Sequence, residues 1–344
     1  MVSSLNDAKR TEIAKKLADM KAIQDLLISN EQALISECGD RDIQERFQNM
    51  LNDDRKNMGI LDTTIVQYGV KADPHSSTQT MVEQAQKMML DSDLSLYEKV
   101  AQHELLKHAQ VGNGLVVHKC AQVVGADIEA AIAPLNTVNF ENRAHQEQLK
   151  GIAEALGVRE LTGQEPDQGL WGRVQDAIAG LTGAMGSAVT QSSGMSDMTI
   201  GQLIRMDHSK ARTLYTEIEN SNDPQRIQEF FGQLYKDLIA HSKAEEEVVY
   251  PQLRSFYNQT QNLYDEQAQL EQLLKEIKSL SPSDPQFKTK VRQARDLTNH
   301  HINQEENDAL PKLDSNFSSE QQQQMASQFK SAKSKVQDEL AAAK

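Results

Sequence analysis

Two segments of this 344-residue chain repeat one pattern: an apolar stripe at helical spacing, broken by a His and, four residues on, by a Glu. In 224–254 the stripe is Ile227, Phe231, Leu234, Leu238, His241, Glu245 and Val248. In 284–310 it is Phe287, Val291, Ala294, Thr298, His301, Glu305 and Asp308. Steps of three and four place each set on one face of an α-helix turned toward a bundle core. His and Glu four apart are neighbours on that face. A buried carboxylate is costly unless a partner or a metal compensates it. The flanks repeat as well. His241-Ser-Lys-Ala-Glu245-Glu246 reaches Pro251 ten residues after its His, and His301-Ile-Asn-Gln-Glu305-Glu306 reaches Pro311 at the same distance. A third stripe, Ile200, Ile204, His208, Ala211, Tyr215 and Ile218, carries His208 in its middle.

Imidazoles and carboxylates sent inward from facing helices suit iron or manganese, with zinc also compatible. The predicted main site is therefore His208, His241, Glu245, His301 and Glu305. His300 is an alternative to His301, but it lies off the stripe and out of the His-x-x-x-Glu register.

The segment 200–315 resembles the hemerythrin HHE cation-binding family. The resemblance rests on Asp207-His208, on His241-x-x-x-Glu245-Glu246 with Tyr250-Pro251, and on His301-x-x-x-Glu305-Glu306 with Leu310-Pro311. It implies an up-down four-helix bundle and a non-haem di-iron centre bridged by carboxylates, open to O₂, peroxide or nitric oxide. One departure stands out. The third-helix stripe is Leu263, Gln267, Leu270, Leu274 and Ile277, with Glu266-Gln267 where the family usually has Glu-His. Gln is a poor iron ligand. The second metal is expected to be weak, absent, or held by Glu266 or water.

Composition and punctuation set the rest of the chain. Only 5% of residues are aromatic, and helix-forming types dominate. The fold class predicted is all-α. The length exceeds the roughly 250–300 residues that one core supports, so two bundles in tandem are expected. We divide the chain into a helical bundle over 1–157, a linker over 158–198 and a metal-binding bundle over 199–344. Helical stretches are expected at about 5–37, 42–68, 78–90, 93–124 and 127–156, with Pro134 a kink in the last. After the linker they are expected at about 199–220, 224–254, 259–280, 284–310 and 318–342. Within the linker, Leu170, Trp171, Val174, Ile178 and Leu181 recur at helical spacing. They predict a short amphipathic helix that docks the two domains, rather than a membrane-surface anchor.

The first half carries a fainter pattern of the same kind. Leu94, Tyr97, Ala101, Glu104, His108, Val111, Leu115 and His118 share one stripe. Val138, Asn142, His145, Leu149, Ile152 and Leu156 share another, with Glu141 four before His145, and Glu31 lies in the first stretch. Carboxylate-imidazole pairs from several helices are the ferritin-like di-iron pattern. On Asp25-Leu26 with Glu31-Gln32, and Lys99-Val100 with Glu104-Leu105, residues 20–155 resemble ferritin-like stress proteins of the YciE/YciF type. Departures fall at the ligand positions. Asp53 and Asn57 stand at the second-helix pair, and Ala101-Gln102 at the third-helix Glu-His, where a one-residue shift restores His103. The expectation is a polar network of Glu104, His108 and His145 in place of a working site. A second metal centre of Glu31, Glu104, His108, Glu141 and His145 is the alternative.

Other chemistry is excluded more simply. With 36 basic against 50 acidic residues, net −14, the chain has no basic balance for nucleic acid. Two cysteines, Cys38 and Cys120, make neither a disulfide framework nor a four-cysteine zinc site. No apolar run approaches a membrane span, and Met1 to Arg10 lacks a signal-peptide core. A cytoplasmic protein is expected. No phosphate loop or nucleophile elbow occurs, and no catalytic residue is singled out. The functional expectation is a non-haem iron protein, mono- or di-nuclear. It would sense, bind or detoxify O₂-derived species, nitric oxide or iron under stress, with a diatomic molecule or peroxide as partner. Alternatives are a two-bundle adaptor whose metal is a staple, and a ferroxidase- or peroxidase-type oxidoreductase. A homodimer through the N-terminal bundle would fit either reading.

Overall fold

The structure is a computed structural model that describes residues 8–91, 93–167, 169–189 and 198–342. The expected helix start near Leu5 and the linker positions 190–197 lie outside the described residues. Every regular element among those described is helical. The first half contains α1 (Ala8–Glu37), α2 (Arg41–Tyr68), α3 (Ser76–Met89), α4 (Leu96–Val124), α5 (Ala126–Ile132), α6 (Leu135–Thr162) and α7 (Leu170–Val189). The second contains α8 (Ile200–Asn220), α9, α10 (Thr260–Lys278), α11 and α12 (Ser319–Ala342). Helix α9 runs through Pro224–Ala244, a π-turn at Glu245–Val249, and Tyr250–Leu253. Helix α11 does the same through Pro285–Gln304, Glu305–Ala309 and Leu310–Asn316.

Local chemistry starts and stops these helices. Asp40 caps α2 by accepting the N–H groups of Asp42 and Ile43, and Gly69 closes it at φ 76°. Ser95 with Glu98, and Thr199 with Gln202, form capping boxes at α4 and α8. Asp223-Pro224 and Asp284-Pro285 open α9 and α11, with Pro where a free N–H would be unused. Pro134 goes further than the expected kink: it separates α5 from α6, because its ring occupies the position of an N–H donor. Gly157 is not a boundary. It sits inside α6, where a side chain would meet the Tyr97 ring at about 3.1 Å.

The linker helix forms as expected over Leu170–Val189. Leu170 and Val174 of α7 are buried with Leu149, Ile152 and Ala155, and the Arg46 guanidinium lies 3.8 Å above the Trp171 ring. The Leu170, Trp171, Val174 and Ile178 part of its stripe thus packs on the N-terminal bundle. The two halves are joined elsewhere, at the C-terminal end of α2. The last carbonyls of that helix have no helical donor. Lys210 donates to Gln67 and Tyr68 oxygens, and Gln337 donates to the Val66 oxygen at 3.0 Å. A lysine ammonium at this end also meets the negative pole of the helix. Lys71 adds a bond of 2.8 Å to Asp338 of α12. No helix among the described residues is long and apolar enough to cross a membrane.

Candidate metal centre

The His-x-x-x-Glu pairs sit where two helices change pitch. Tyr250 N–H bonds the Glu245 carbonyl and Leu310 N–H bonds the Glu305 carbonyl, each five residues back. The cause is the proline that follows. Pro251 and Pro311 have no N–H to give, and an α-helical ring would press on the carbonyl four residues earlier. A π-turn widens the helix at that point. Both turns begin at the Glu of the motif, so the duplicated sequence produces a duplicated local distortion at the site.

His208 of α8, His241 and Glu245 of α9, and Glu305 of α11 each offer one buried ligand atom, all within 4.8 Å of one another. His208 Nε2 is 3.2 Å from Glu305 Oε2, and His241 Nε2 is 3.1 Å from Glu245 Oε2. Beyond these contacts within the group, His208 Nε2, His241 Nε2, Glu245 Oε1 and Glu305 Oε2 make no hydrogen bond. Buried polar atoms nearly always have fuller satisfaction. Two imidazole nitrogens and two carboxylate oxygens gathered around one point are a donor set that fits a divalent transition metal.

The opposite nitrogen of each imidazole is tied to a carboxylate. His208 Nδ1 is 2.8 Å from Glu306, His241 Nδ1 is 3.0 Å from Asp207, and His301 Nδ1 is 2.7 Å from Glu266. Such partners orient a ligating ring and leave Nε2 free as the donor. Asp207 is itself held by the buried Lys333 of α12. The orienting Glu306, Asp207 and Lys333 were not foreseen as such. Asp207-His208 and Glu305-Glu306 contained the signal, a carboxylate one residue from a predicted ligand.

His301 stands beside the four-atom group. Its Nε2 faces the Tyr250 hydroxyl at 3.2 Å. That hydroxyl donates to Glu305 Oε1 at 2.7 Å, and the Gln267 amide donates to Glu245 Oε2 at 2.7 Å. Tyr250 and Gln267 therefore lie between His301 and the two glutamates. Glu266 is engaged with His301, and the His300 side chain is 72% exposed, off the core face.

Burial opposes charge on these imidazoles, yet their carboxylates prevail. Glu245 and Asp207 push His241 up to about 10, and Glu305 and Glu266 do the same for His301. Burial would raise the Glu305 carboxyl, but His301 and His208 hold it well below the usual range. Burial and the two nearby glutamates drive the Tyr250 phenol well above its ordinary value. A cavity of about 20 Å³ adjoins the group, walled by Leu238, Leu270, Ile302 and the three histidines.

The first half differs from expectation in detail. The buried face of α4 is Val100, His103, Lys107, Gln110, Gly114, Val117 and Ala121. It lies one residue behind the expected stripe. Glu104 and His108 are consequently outside the core, sharing the Gln146 amide at 3.2 and 3.0 Å. Glu31, Asp54 and His145 come together instead, each offering a buried atom within 4.8 Å of the others. His103 Nε2 is 3.3 Å from Glu31, and Lys107 is wholly buried among them. Glu141 borders the cluster, its carboxyl raised by burial and by Asp53. A lysine on a helix face ordinarily reads as solvated, which is why Lys107 escaped notice.

Comparison with known proteins accords with this geometry. The model of the hemerythrin HHE cation binding domain matches residues 199–313. A Nostoc sp. (strain PCC 7120) protein named DNA nickase is 58% identical over 342 residues, 99% of this chain and 97% of the relative. An uncharacterized hemerythrin-like protein of Schizosaccharomyces pombe is 28% identical over 139 residues, 39% of this chain and 68% of that protein. No solved structure matches the chain. The chain belongs to the family of the Nostoc protein named DNA nickase, and its second half carries a hemerythrin HHE cation binding domain.

Proposed function

We propose that the C-terminal bundle is a non-haem iron centre held by His208, His241, Glu245 and Glu305, serving a small oxygen- or nitrogen-derived ligand. The observation that carries this reading is the convergence of four buried ligand atoms within 4.8 Å of one another, with no hydrogen bond outside the group for the two Nε2 atoms. The donor set suits iron or manganese better than zinc. When bound, the metal would supply a Lewis-acidic, redox-active position. The chain's own residues do the rest. Glu306 and Asp207 hold the two imidazoles in the tautomer that presents Nε2. Tyr250 keeps a proton 2.7 Å from Glu305, and with Gln267 it favours one ion over two. The cavity of about 20 Å³ exceeds the ~10–15 Å³ needed for one water, so a diatomic molecule or peroxide fits and a nucleotide does not.

The test is metal content and optical spectrum on anaerobically purified protein, compared with His208→Ala/His241→Ala. One iron per chain, lost in the variant, with bands altered by azide or nitric oxide, supports the reading. A spectrally silent site whose removal leaves melting unchanged returns the chain to a structural role.

DNA nicking is the second reading, favoured by the 58% identity that spans 99% of this chain. The net charge of −14 argues against broad electrostatic attraction to DNA, so contact would be local and on the exterior. Conversion of supercoiled plasmid to open circles tests it. Nicking lost together with iron joins the two readings. Nicking that survives the double variant places the cutting site elsewhere on the chain, and none by metal-loaded wild type removes DNA as substrate.

A further inference from the structure

The buried cluster of the N-terminal bundle contains metal-ligand groups that already surround a positive charge. Glu31 comes from α1, Asp54 from α2 and His145 from α6, and their ligand atoms lie within 4.8 Å of one another. The fourth long helix, α4, sends Lys107 into their midst. Its Nζ pairs with Asp54, stands 3.2 Å from Glu31 Oε1, and stands 3.0 Å from His145 Nδ1. An ammonium has three N–H donors and accepts nothing. Here each donor has one partner, and each partner comes from a different helix. Asp53, at 3.5 Å from His145 Nε2, steadies the ring from its other side.

We infer that Lys107 is the built-in cation of a carboxylate–imidazole cage, and that a divalent transition-metal ion enters this cage only when the ammonium is removed. Two features support a cage and not merely a buried ion pair. Three of the four helices around the ammonium supply groups of metal-ligand type, two carboxylates and an imidazole, and a further imidazole, His103, touches Glu31 at 3.3 Å. Moreover Glu31 Oε2 and His103 Nδ1 have no hydrogen-bond partner, leaving donor capacity that Lys107 does not use. The contrast with the C-terminal centre is direct: there the imidazole and carboxylate atoms face one another with no lysine between them.

The experiment uses the full chain and Co²⁺ as probe, because its visible bands report bound metal without any activity. Lys107→Ala should take up one more equivalent of Co²⁺ than wild type. Its melting temperature, lowered by roughly 10 °C without metal, should recover as Co²⁺ is added. Lys107→Ala/Asp54→Ala should lose the extra equivalent. A folded Lys107→Ala chain with wild-type stoichiometry overturns the inference. If Lys107→Ala does not fold, Asp54→Asn in the wild-type background decides. Unchanged metal content agrees with lysine as the occupant, and loss of an equivalent shows that metal had been there.

Discussion

The two bundles gather nearly the same side chains and differ by one ammonium. In the C-terminal bundle His208, His241, Glu245 and Glu305 converge, and their inward nitrogens and oxygens face one another with no lysine between them. In the N-terminal bundle Glu31, Asp54 and His145 converge on Lys107. Lysines also approach the C-terminal centre, but from outside. Lys333 reaches only Asp207, which orients His241. The position of a lysine, inside the cage or behind a ligand, separates a self-neutralised core from a donor set that fits a metal. Residue inventory alone does not make that distinction.

The largest effect expected is at Lys107. Replacing it by Met leaves Asp54 and Glu31 as uncompensated buried carboxylates, a loss of about 3–5 kcal/mol by analogy with broken buried ion pairs. Urea unfolding followed by circular dichroism measures it. A loss below 1 kcal/mol would mean that the cage relaxes and that the two bundles are less different than their geometry indicates.

Next is a pH comparison of metal-free and iron-loaded protein. His241 and His301 are raised from 6.5 to about 10 in the folded, metal-free chain. A group raised on folding contributes stability in full below its unfolded value and loses it as pH climbs through the folded one. Metal-free protein should therefore melt progressively lower from pH 6.5 toward 10. Iron binding displaces the His241 proton, so the loaded form should show a flatter profile over the same range. Lys107, raised beyond its ordinary 10.5, keeps the N-terminal cluster intact across this window. Parallel profiles with and without iron would break the assignment of His241 to metal.

Lys333→Met tests the role of α12, which lies beyond the matched domain at 199–313. Freed from its lysine, Asp207 should orient His241 poorly, and iron affinity should fall roughly 10–100-fold. Competition with a chelator measures this, and Lys333→Arg should recover part of the loss. The smallest effect belongs to the joint between the halves. Gln337→Leu removes the donor to the Val66 carbonyl and should cost about 1 kcal/mol in thermal unfolding. Iron content should remain unchanged.

Much of the second half was legible because its stripes are unambiguous. The buried residues of α11 keep almost to one face, and although α9 is buried on several sides its motif repeats the same register, so His241, Glu245, His301 and Glu305 share the core-facing stripe. Helix α4 was misread by one residue for the converse reason. Leu105, Leu115, Val116 and Val123 are large apolar residues on its exposed side. With apolar residues on both sides, periodicity does not say which face is buried, and the choice fell on Glu104 and His108 instead of His103 and Lys107. The apolar run of α7 was visible, but which bundle it covers depended on Leu149 and Ile152 being there to receive it.

By itself the sequence determined the all-helical class, the helix starts at Asp40, Thr199, Asp223 and Asp284, and the inward histidines of the second bundle. These follow from caps, prolines and a 3.6-residue period, which act over a few neighbouring residues. Only the tertiary structure decided which inward groups share a point. It set Tyr250 and Gln267 beside His301, placed Glu306 and Asp207 behind the ligands, and drove Lys107 between Glu31, Asp54 and His145. The physical reason is distance along the chain. Glu31 and Lys107 meet across 76 residues, and the energy of a buried charge depends on what packed helices bring within a few ångströms of it.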